Sequence, residues 1–234
     1  MHPVVRKFSL HQSISEEEQA AIELALRHVI DVSAGESVAI DGDPVEDMYV
    51  LVEGMLARAK IGPAGNRQLL ALMIPGDSCD FGLSLLPRRD HSIVALSNAR
   101  VARTSDTRLR RMAAVFPNLA DAFRRAQLVE TSISREWTMN VGSRNAIERA
   151  AHFFLETYFR LEAIGLTQSQ GCAMVLTQIA LGDAWGVSPV HVNRTLQTLR
   201  QKKLLAYGGG RLTLLDMPAL ISIAQFDPTY LHLH

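Results

Sequence analysis

The sequence predicts an α+β chain: an N-terminal antiparallel β-roll, a long dimerisation helix and a C-terminal winged helix-turn-helix. Three observations carry that prediction. From about residue 31 to 107, short apolar or alternating runs are cut by Gly, Pro, Asp and Asn. From Asn118 to Val141, apolar residues recur every three or four positions. From Thr177 to Leu215, two capped helical patterns flank a glycine and lead into two apolar runs around a glycine-rich turn. The expected domains are residues 1–108 (the roll), 109–142 (connecting and dimerisation helices) and 143–234 (the winged helix-turn-helix).

Each element follows from local chemistry. In "SEEEQAAIELALRHV" Ser15 is placed to cap a helix, and acids crowd the first turn, where the helix dipole favours them. Ile22, Leu26 and Val29 form its apolar stripe. The runs "ESVAI", "MYVLVEG", "MLARAKI", "QLLALMI", "HSIVAL" and "ARVARTS" read as short strands. Gly42, Gly54, Gly65 and Gly76 fall at turns that need positive φ or close approach. Asp106 or Thr107 can cap "RLRRMAAVF", and Pro117 opens a new helix at its favoured first position. In that helix Leu119, Ala122, Ala126, Val129, Ile133 and Trp137 make a near-heptad seam, expected to join two subunits; packing on the chain's own β-domain is the alternative. Gly142 and Ser143 are expected to break it, with Ser143 capping a helix whose broad face holds Ile147, Ala150, Ala151, Phe154, Leu155, Tyr158 and Leu161.

Composition narrows the function. The chain has 234 residues, 47% of them hydrophobic and 21% charged, which suits a folded core. There is no apolar run long enough to span a membrane, and the N-terminus lacks a long apolar signal core. The two cysteines, Cys79 and Cys172, form neither a CxxC motif nor a disulfide framework, so the cytoplasm is the expected compartment. Net charge is zero, yet from Ala184 to Leu215 there are five basic residues (Arg194, Arg200, Lys202, Lys203, Arg211) and no acid. A basic stripe on a neutral chain suits an anionic surface; a solvated helix face is the plainer alternative.

The C-terminal pattern sharpens this. Thr177 can cap a helix whose inner side is expected to hold Ile179, Ala180, Leu181 and Ala184. Gly186 supplies the turn. Ser188 caps the second helix with Pro189 at its first position, and Val192, Leu196 and Leu199 form its buried face. The other side holds Val190, His191, Asn193, Arg194, Gln197 and Arg200. Arg can grip guanine O6 and N7, Asn can pair with adenine, and Val can meet a thymine methyl. Thr177, Gln178 and Ser188 lie near helix N-termini, which suit phosphates. "LLAYGGGRLTLL" reads as a hairpin wing with Arg211 near its tip, beside the DNA backbone.

Taken in order, "DGDPVEDMYVLVEGML", "LMIPGDSCDFGLSLL" and "LTQIALGDAWGVSPVHVNRTLQTLRQKKLL" resemble the Crp/Fnr family of transcription regulators over nearly the whole length. The resemblance implies a cyclic-nucleotide-binding-like jelly roll, a homodimer on palindromic double-stranded DNA, and RNA polymerase as a partner. It also exposes departures. Members that bind cyclic nucleotides cradle the phosphate with Gly-Glu and Arg-Ser pairs. Here Asp80 and Phe81 stand at the first pair, and His91 replaces the Arg before Ser92. Asp80 would repel a phosphate, and Arg88 and Arg89 sit in the loop. Tight cyclic-AMP binding is therefore not expected. Two cysteines cannot supply a four-cysteine iron–sulfur cluster.

His11, His28 and His91 leave haem ligation open, against ordinary structural roles, and His232 and His234 leave a metal-binding tail open, against a plain polar terminus. Otherwise no cofactor or metal is expected. Cys79 reads either as a redox switch or as a buried thiol. Many members carry Glu two positions after the cap serine; Val190 stands there, so the operator should differ at that base, while Arg194 keeps the guanine-reading position. An enzyme is not expected, since HExxH, P-loop, GxSxG and GxGxxG motifs are all missing. A small-molecule sensor acting through protein contacts, without reading bases, is the remaining alternative.

Overall fold

The computed structural model describes residues 1–79 and 85–233. Its elements, in chain order, are α1 (Pro3–Phe8), α2 (Glu16–Ala25), β1 (Val29–Val32), β2 (Ser37–Ala39), β3 (Asp47–Glu53), β4 (Leu56–Ile61), β5 (Arg67–Met73), β6 (Ser92–Ala95) and β7 (Ala99–Ser105). There follow α3 (Asp106–Val115), α4 (Pro117–Ser143), α5 (Ala146–Ala163), β8 (Thr167–Gln168), β9 (Gly171–Ala173), α6 (Gln178–Trp185), α7 (Pro189–Gln201), β10 (Leu205–Gly208), β11 (Arg211–Leu214) and α8 (Met217–Ala224).

The first seven strands make two sheets, in the orders β1-β7-β3 and β2-β6-β4-β5. Strand alternation places adjacent side chains on opposite faces. Leu51 and Val101 therefore enter one core, with Leu56, Met73 and Ile93 from the other sheet. Their neighbours Val50 and Ala102 enter a second core, with Val4, Phe8, Ile22, Leu109 and Leu119 from the helices. Two apolar layers on either face of one sheet hold the roll and its helices together. Cys79 lies in the first core, 1% exposed, and its carbonyl accepts a bond of 2.9 Å from Arg58.

Gly42, Gly54, Gly65 and Gly76 all adopt positive φ. Gly54 also lies so close to its neighbour that a Cβ would stand 2.4 Å from the Asn98 carbonyl oxygen.

Several boundaries differ from expectation. Ser105, not Asp106 or Thr107, caps α3, with its hydroxyl accepting from the Arg108 N–H. The first amphipathic helix stops at Ala25, and Val29 opens a strand instead. Gly142 and Ser143 do not break α4, which runs through both. Asn145 caps α5 instead, because its side chain bonds the Ile147 and Glu148 N–H groups while Glu148 reaches back to the cap.

The near-heptad stripe of α4 faces the protomer's own interior. Leu119 and Ala122 belong to the helix-side core of the roll, with Ala126 packed against it. Val129, Ile133 and Trp137 are also buried within the single chain. The opposite side of α4 leaves Leu128 69% and Met139 52% exposed. A helical period marks a buried face but does not say whose surface buries it.

Two compact units divide the chain. One comprises residues 1–60 and 72–131, the other residues 61–71 and 132–233. In the second, Phe154 is fully buried, with edge-on contacts to Phe153 and Trp185. Buried Glu156 accepts from Trp137 Nε1 at 2.9 Å and from the Tyr230 hydroxyl at 2.8 Å, which ties the C-terminal segment to α5. Burial raises the Glu156 pKa. No helix among the described residues is long and apolar enough to cross a membrane.

Candidate nucleic-acid interface

Two short helices and a left-handed glycine build the reading head. The Thr177 hydroxyl accepts from the Ala180 N–H at 3.1 Å and starts α6. Gly186 ends that helix at φ 67°, a conformation open to Gly at little cost. The Val187 N–H then bonds the Gly182 carbonyl at 3.1 Å and closes the turn. The Ser188 hydroxyl accepts from the His191 N–H, and Pro189 fills the first position of α7. Val192 and Leu199 are fully buried and Leu196 nearly so, while Ala180, Leu181, Ala184 and Trp185 face them from α6. Ile179 is not on that inner side: it is 60% exposed, because it lies on the outward arc of a helix barely two turns long.

The outer side of α7 carries Ser188, Pro189, Val190, His191 and Arg194, all exposed, with Asn193 half-buried between them. Asn193 Nδ2 lies 3.5 Å from Gln178 Oε1, so an expected base reader and an expected phosphate contact meet across the turn. The Arg194 guanidinium has no hydrogen-bond or ion-pair partner among the described residues. Thr177 and Gln178 are exposed at the start of α6. The nine predicted interface residues thus divide: eight gather around the two helix N-termini, and Arg211 lies apart.

Arg211 opens the second strand of the wing. β10 and β11 are joined at Gly209–Gly210, both at positive φ, which suits a tight two-residue hairpin. β11 also pairs with β9, giving a four-stranded sheet in the order β10-β11-β9-β8. The Arg211 side chain turns back over Gly171 and donates to the Gln168 carbonyl at 2.9 Å. Arg200 likewise donates to the Tyr207 carbonyl at 3.1 Å. Of the basic stripe, Arg200 therefore binds the wing and Arg211, on the wing, binds β8. Tyr207 holds the wing from beneath: its hydroxyl donates to the Leu176 carbonyl at 2.7 Å and accepts from the Leu176 N–H. Burial pushes its pKa up to about 12 and that of Cys172 below the sheet up to about 11.

Sequence reasoning missed the residues that seat the head. Arg149 of α5 donates to four carbonyls: Asn140 at 2.9 Å, Val141 at 2.8 Å, Arg144 at 2.9 Å, and Trp185. One guanidinium thereby joins the end of α4, the turn after it and the last residue of α6. Its own pKa is lowered by burial. Asp183 of α6 is held by Arg67 through two nitrogens, each at 2.8 Å, which neutralises the acid that directly precedes the basic window. Beside α7, Asn145, Ala146 and Ile147 line a shallow groove of about 410 Å³ with Val190, His191 and Arg194. The cap signal at Asn145 could have been read from Glu148 three positions on.

In the roll, Arg88 donates to the Gly42 carbonyl at 2.8 Å. Arg89 is 4% exposed, stacks over Tyr49 and donates to the Asp47 carbonyl at 2.6 Å. His91 Nδ1 lies 2.7 Å from Asp90 Oδ1, and the bond to His91 holds the Asp90 carboxyl below its usual pKa. Asp80 and Phe81, with the phosphate-cradle expectation they carry, lie outside the described residues, as does His234. Among the described residues no three His, Cys, Asp or Glu side chains gather as a metal site.

Comparison with known proteins matches both halves of the chain. Residues 29–115 fit the family model of the cyclic nucleotide-binding domain, and residues 148–223 that of the Crp-like helix-turn-helix domain. The nitrogen fixation regulation protein FixK of Bradyrhizobium diazoefficiens is 28% identical over 83% of this chain and 81% of its own length. The anaerobic regulatory protein of Pasteurella multocida is 24% identical over 80% of this chain and 68% of its own. In fold, the solved structure of FixK2 from Bradyrhizobium japonicum superposes with a TM-score of 0.74 at 23% identity, over 83% of this chain and 96% of that one. With a nucleotide-binding-type roll, a long helix and a Crp-type reading head in that order, the chain belongs to the Crp/Fnr family of DNA-binding transcription regulators, which are not enzymes.

Proposed function

We propose that the protein works as a cytoplasmic homodimer on a palindromic operator, with α7 entering the major groove and Arg194 reading a guanine. One observation carries the reading: an exposed guanidinium without a partner, next to exposed Val190, on the N-terminal half of a helix whose other side is fully packed. The N-terminal half of such a helix is the part that reaches base edges. Val190, 63% exposed, offers a methyl contact where an acid would demand cytosine. The operator therefore differs from the family's usual half-site at that pair. Selection of bound duplexes from a random pool tests this. Inverted repeats about one helical turn, ~34 Å, apart are expected, with affinity falling steeply in salt. Bound sequences without symmetry would overturn the proposal.

Because the near-heptad stripe is occupied within the protomer, dimerisation falls to the outer side of α4, where Leu128 and Met139 are three turns apart on one line. Sedimentation of L128E and M139E variants should show monomers. RNA polymerase as partner rests on the family alone.

The roll is proposed to receive a signal other than a cyclic nucleotide. The engagement of Arg88, Arg89 and His91 within the loop supports this, since none of them is free to grip a phosphate without breaking a bond. Calorimetry with cyclic AMP should give no micromolar binding, and micromolar affinity would refute it.

A further inference from the structure

We infer that a groove between α2 and α3 binds a small amphipathic anion, a carboxylate borne on an apolar chain. The groove measures about 490 Å³, within the roughly 300–1,000 Å³ usual for ligand clefts. Its floor is apolar: Ala25 and Met112 belong to the helix-side core of the roll, and Phe116 packs against that core. Its edges are apolar as well, and unusually open. Leu24 is 62% and Val115 70% exposed, so two large aliphatic side chains face water across the same cleft. Isolated exposed aliphatics are ordinary, but this pair lines one groove, so a single apolar ligand can cover both.

Charge decides what kind of ligand fits. Arg27, Arg108 and Arg111 also line the groove, and no acid does. None of the three guanidiniums has a hydrogen-bond or ion-pair partner among the described residues. Elsewhere in the roll arginines are paired, as Arg103 is with Asp47 and Arg110 with Asp106. The acids of α2 that crowd its first turn, Glu16 to Glu18, lie at the other end of the helix from Arg27. A planar guanidinium offers parallel donors that match a carboxylate, and three of them around an apolar trough leave an anion with an apolar tail as the complementary shape. A bare anion would leave Leu24 and Val115 wet, and an uncharged lipid would leave three cations unanswered. The site is distinct from the roll interior and from the reading head. Phe116 caps α3, and Pro117 after it begins α4, so an occupant would touch the elbow where the long helix starts.

Calorimetry on the full chain with decanoate tests the inference. One decanoate per protomer at micromolar affinity is expected, weakened at least tenfold in R108E/R111E and also in L24Q/V115Q. All four positions are on the surface, so melting temperature and operator binding without ligand should stay unchanged; either variant losing both would be replaced by R27Q/R111Q, which must still weaken decanoate. Methyl resonances of Leu24 and Val115 should shift on titration. Decyltrimethylammonium and octyl glucoside should bind far more weakly. No heat with decanoate up to millimolar concentration would overturn the inference, as would equal binding by the variants or by the neutral and cationic probes. Displacement of decanoate by an acidic amphipathic peptide that binds more tightly would also overturn it, in favour of a protein segment as occupant.

Discussion

Replacing Arg149 by Met tests how the reading head is seated. Methionine keeps much of the aliphatic stem and removes every donor. Four carbonyls lose a charged partner: Asn140, Val141, Arg144 and Trp185. A hydrogen bond to a charged group contributes about 1.5–3 kcal/mol, and bonds sharing one guanidinium are not additive. Arg149 is half-buried and water can replace part of what is lost, so a total near 3 kcal/mol is expected, about two bonds' worth. Both tryptophans, Trp137 and Trp185, lie in the unit that Arg149 serves, so their fluorescence in urea reports that unit alone. With a urea slope of about 1–3 kcal/mol per molar, the midpoint should fall by roughly 1–3 M at constant slope. R149K should be intermediate, since an ammonium is a point charge that cannot span four acceptors. A loss below about 1 kcal/mol would show that the carbonyls are equally content with water, and the clamp would have no energetic standing.

Further outcomes follow from single groups. Arg194→Ala should cost about 1–3 kcal/mol of operator affinity and relax preference at one base pair, read by gel shift on single-pair operator variants; an equal loss on every sequence would make Arg194 a phosphate contact. His152 is 1% exposed, and burial together with Arg144 lowers its pKa to about 3 from an ordinary 6.5. Between those values the unfolded chain holds a proton that the folded chain does not. Stability should therefore be full above pH 6.5 and fall on acidification by about 1.4 kcal/mol per pH unit. H152F, which keeps the stacking on Tyr230 and the edge-on contact with Phe226, should remove that part of the slope in urea melts between pH 6.5 and 4.5; an unchanged slope would refute the assignment. Gly54→Ala should cost about 2–4 kcal/mol in thermal unfolding, because its Cβ would meet backbone at 2.4 Å in a left-handed conformation, and a cost under 1 kcal/mol would contradict that geometry.

What could be read from the sequence was local. Thr177, Gly186, Ser188 and Pro189 each act on the two or three residues beside them, and the structure has each in its expected role. Strand alternation in "MYVLVEG" already separated Val50 from Leu51, which now lie in different cores. The reading failed where the partner is distant. Leu119 and Ala122 have the spacing of a dimer seam, yet β3 and the N-terminal helices supply the surface that buries them. Arg149 reaches three separate segments, a relation no spacing encodes. Arg211 was placed by its position near a turn, whereas its side-chain direction is set by the β8–β9 backbone. The α4–α5 boundary is a different kind of miss, since Asn145 and Glu148 carried the signal and the Gly142–Ser143 pair outweighed it.

The wing ends in Gly208, Gly209 and Gly210, and the arginine that follows turns away from the tip. What the tip can offer a neighbouring molecule is bare peptide backbone, free to approach more closely than any side chain would allow. Shortening side chains would therefore report nothing from the apex of the wing, since Gly208–Gly210 carry none to truncate. Its part in function would surface only when bulk is added: a side chain at Gly209 or Gly210, where φ is positive, both strains the turn and holds the tip at arm's length.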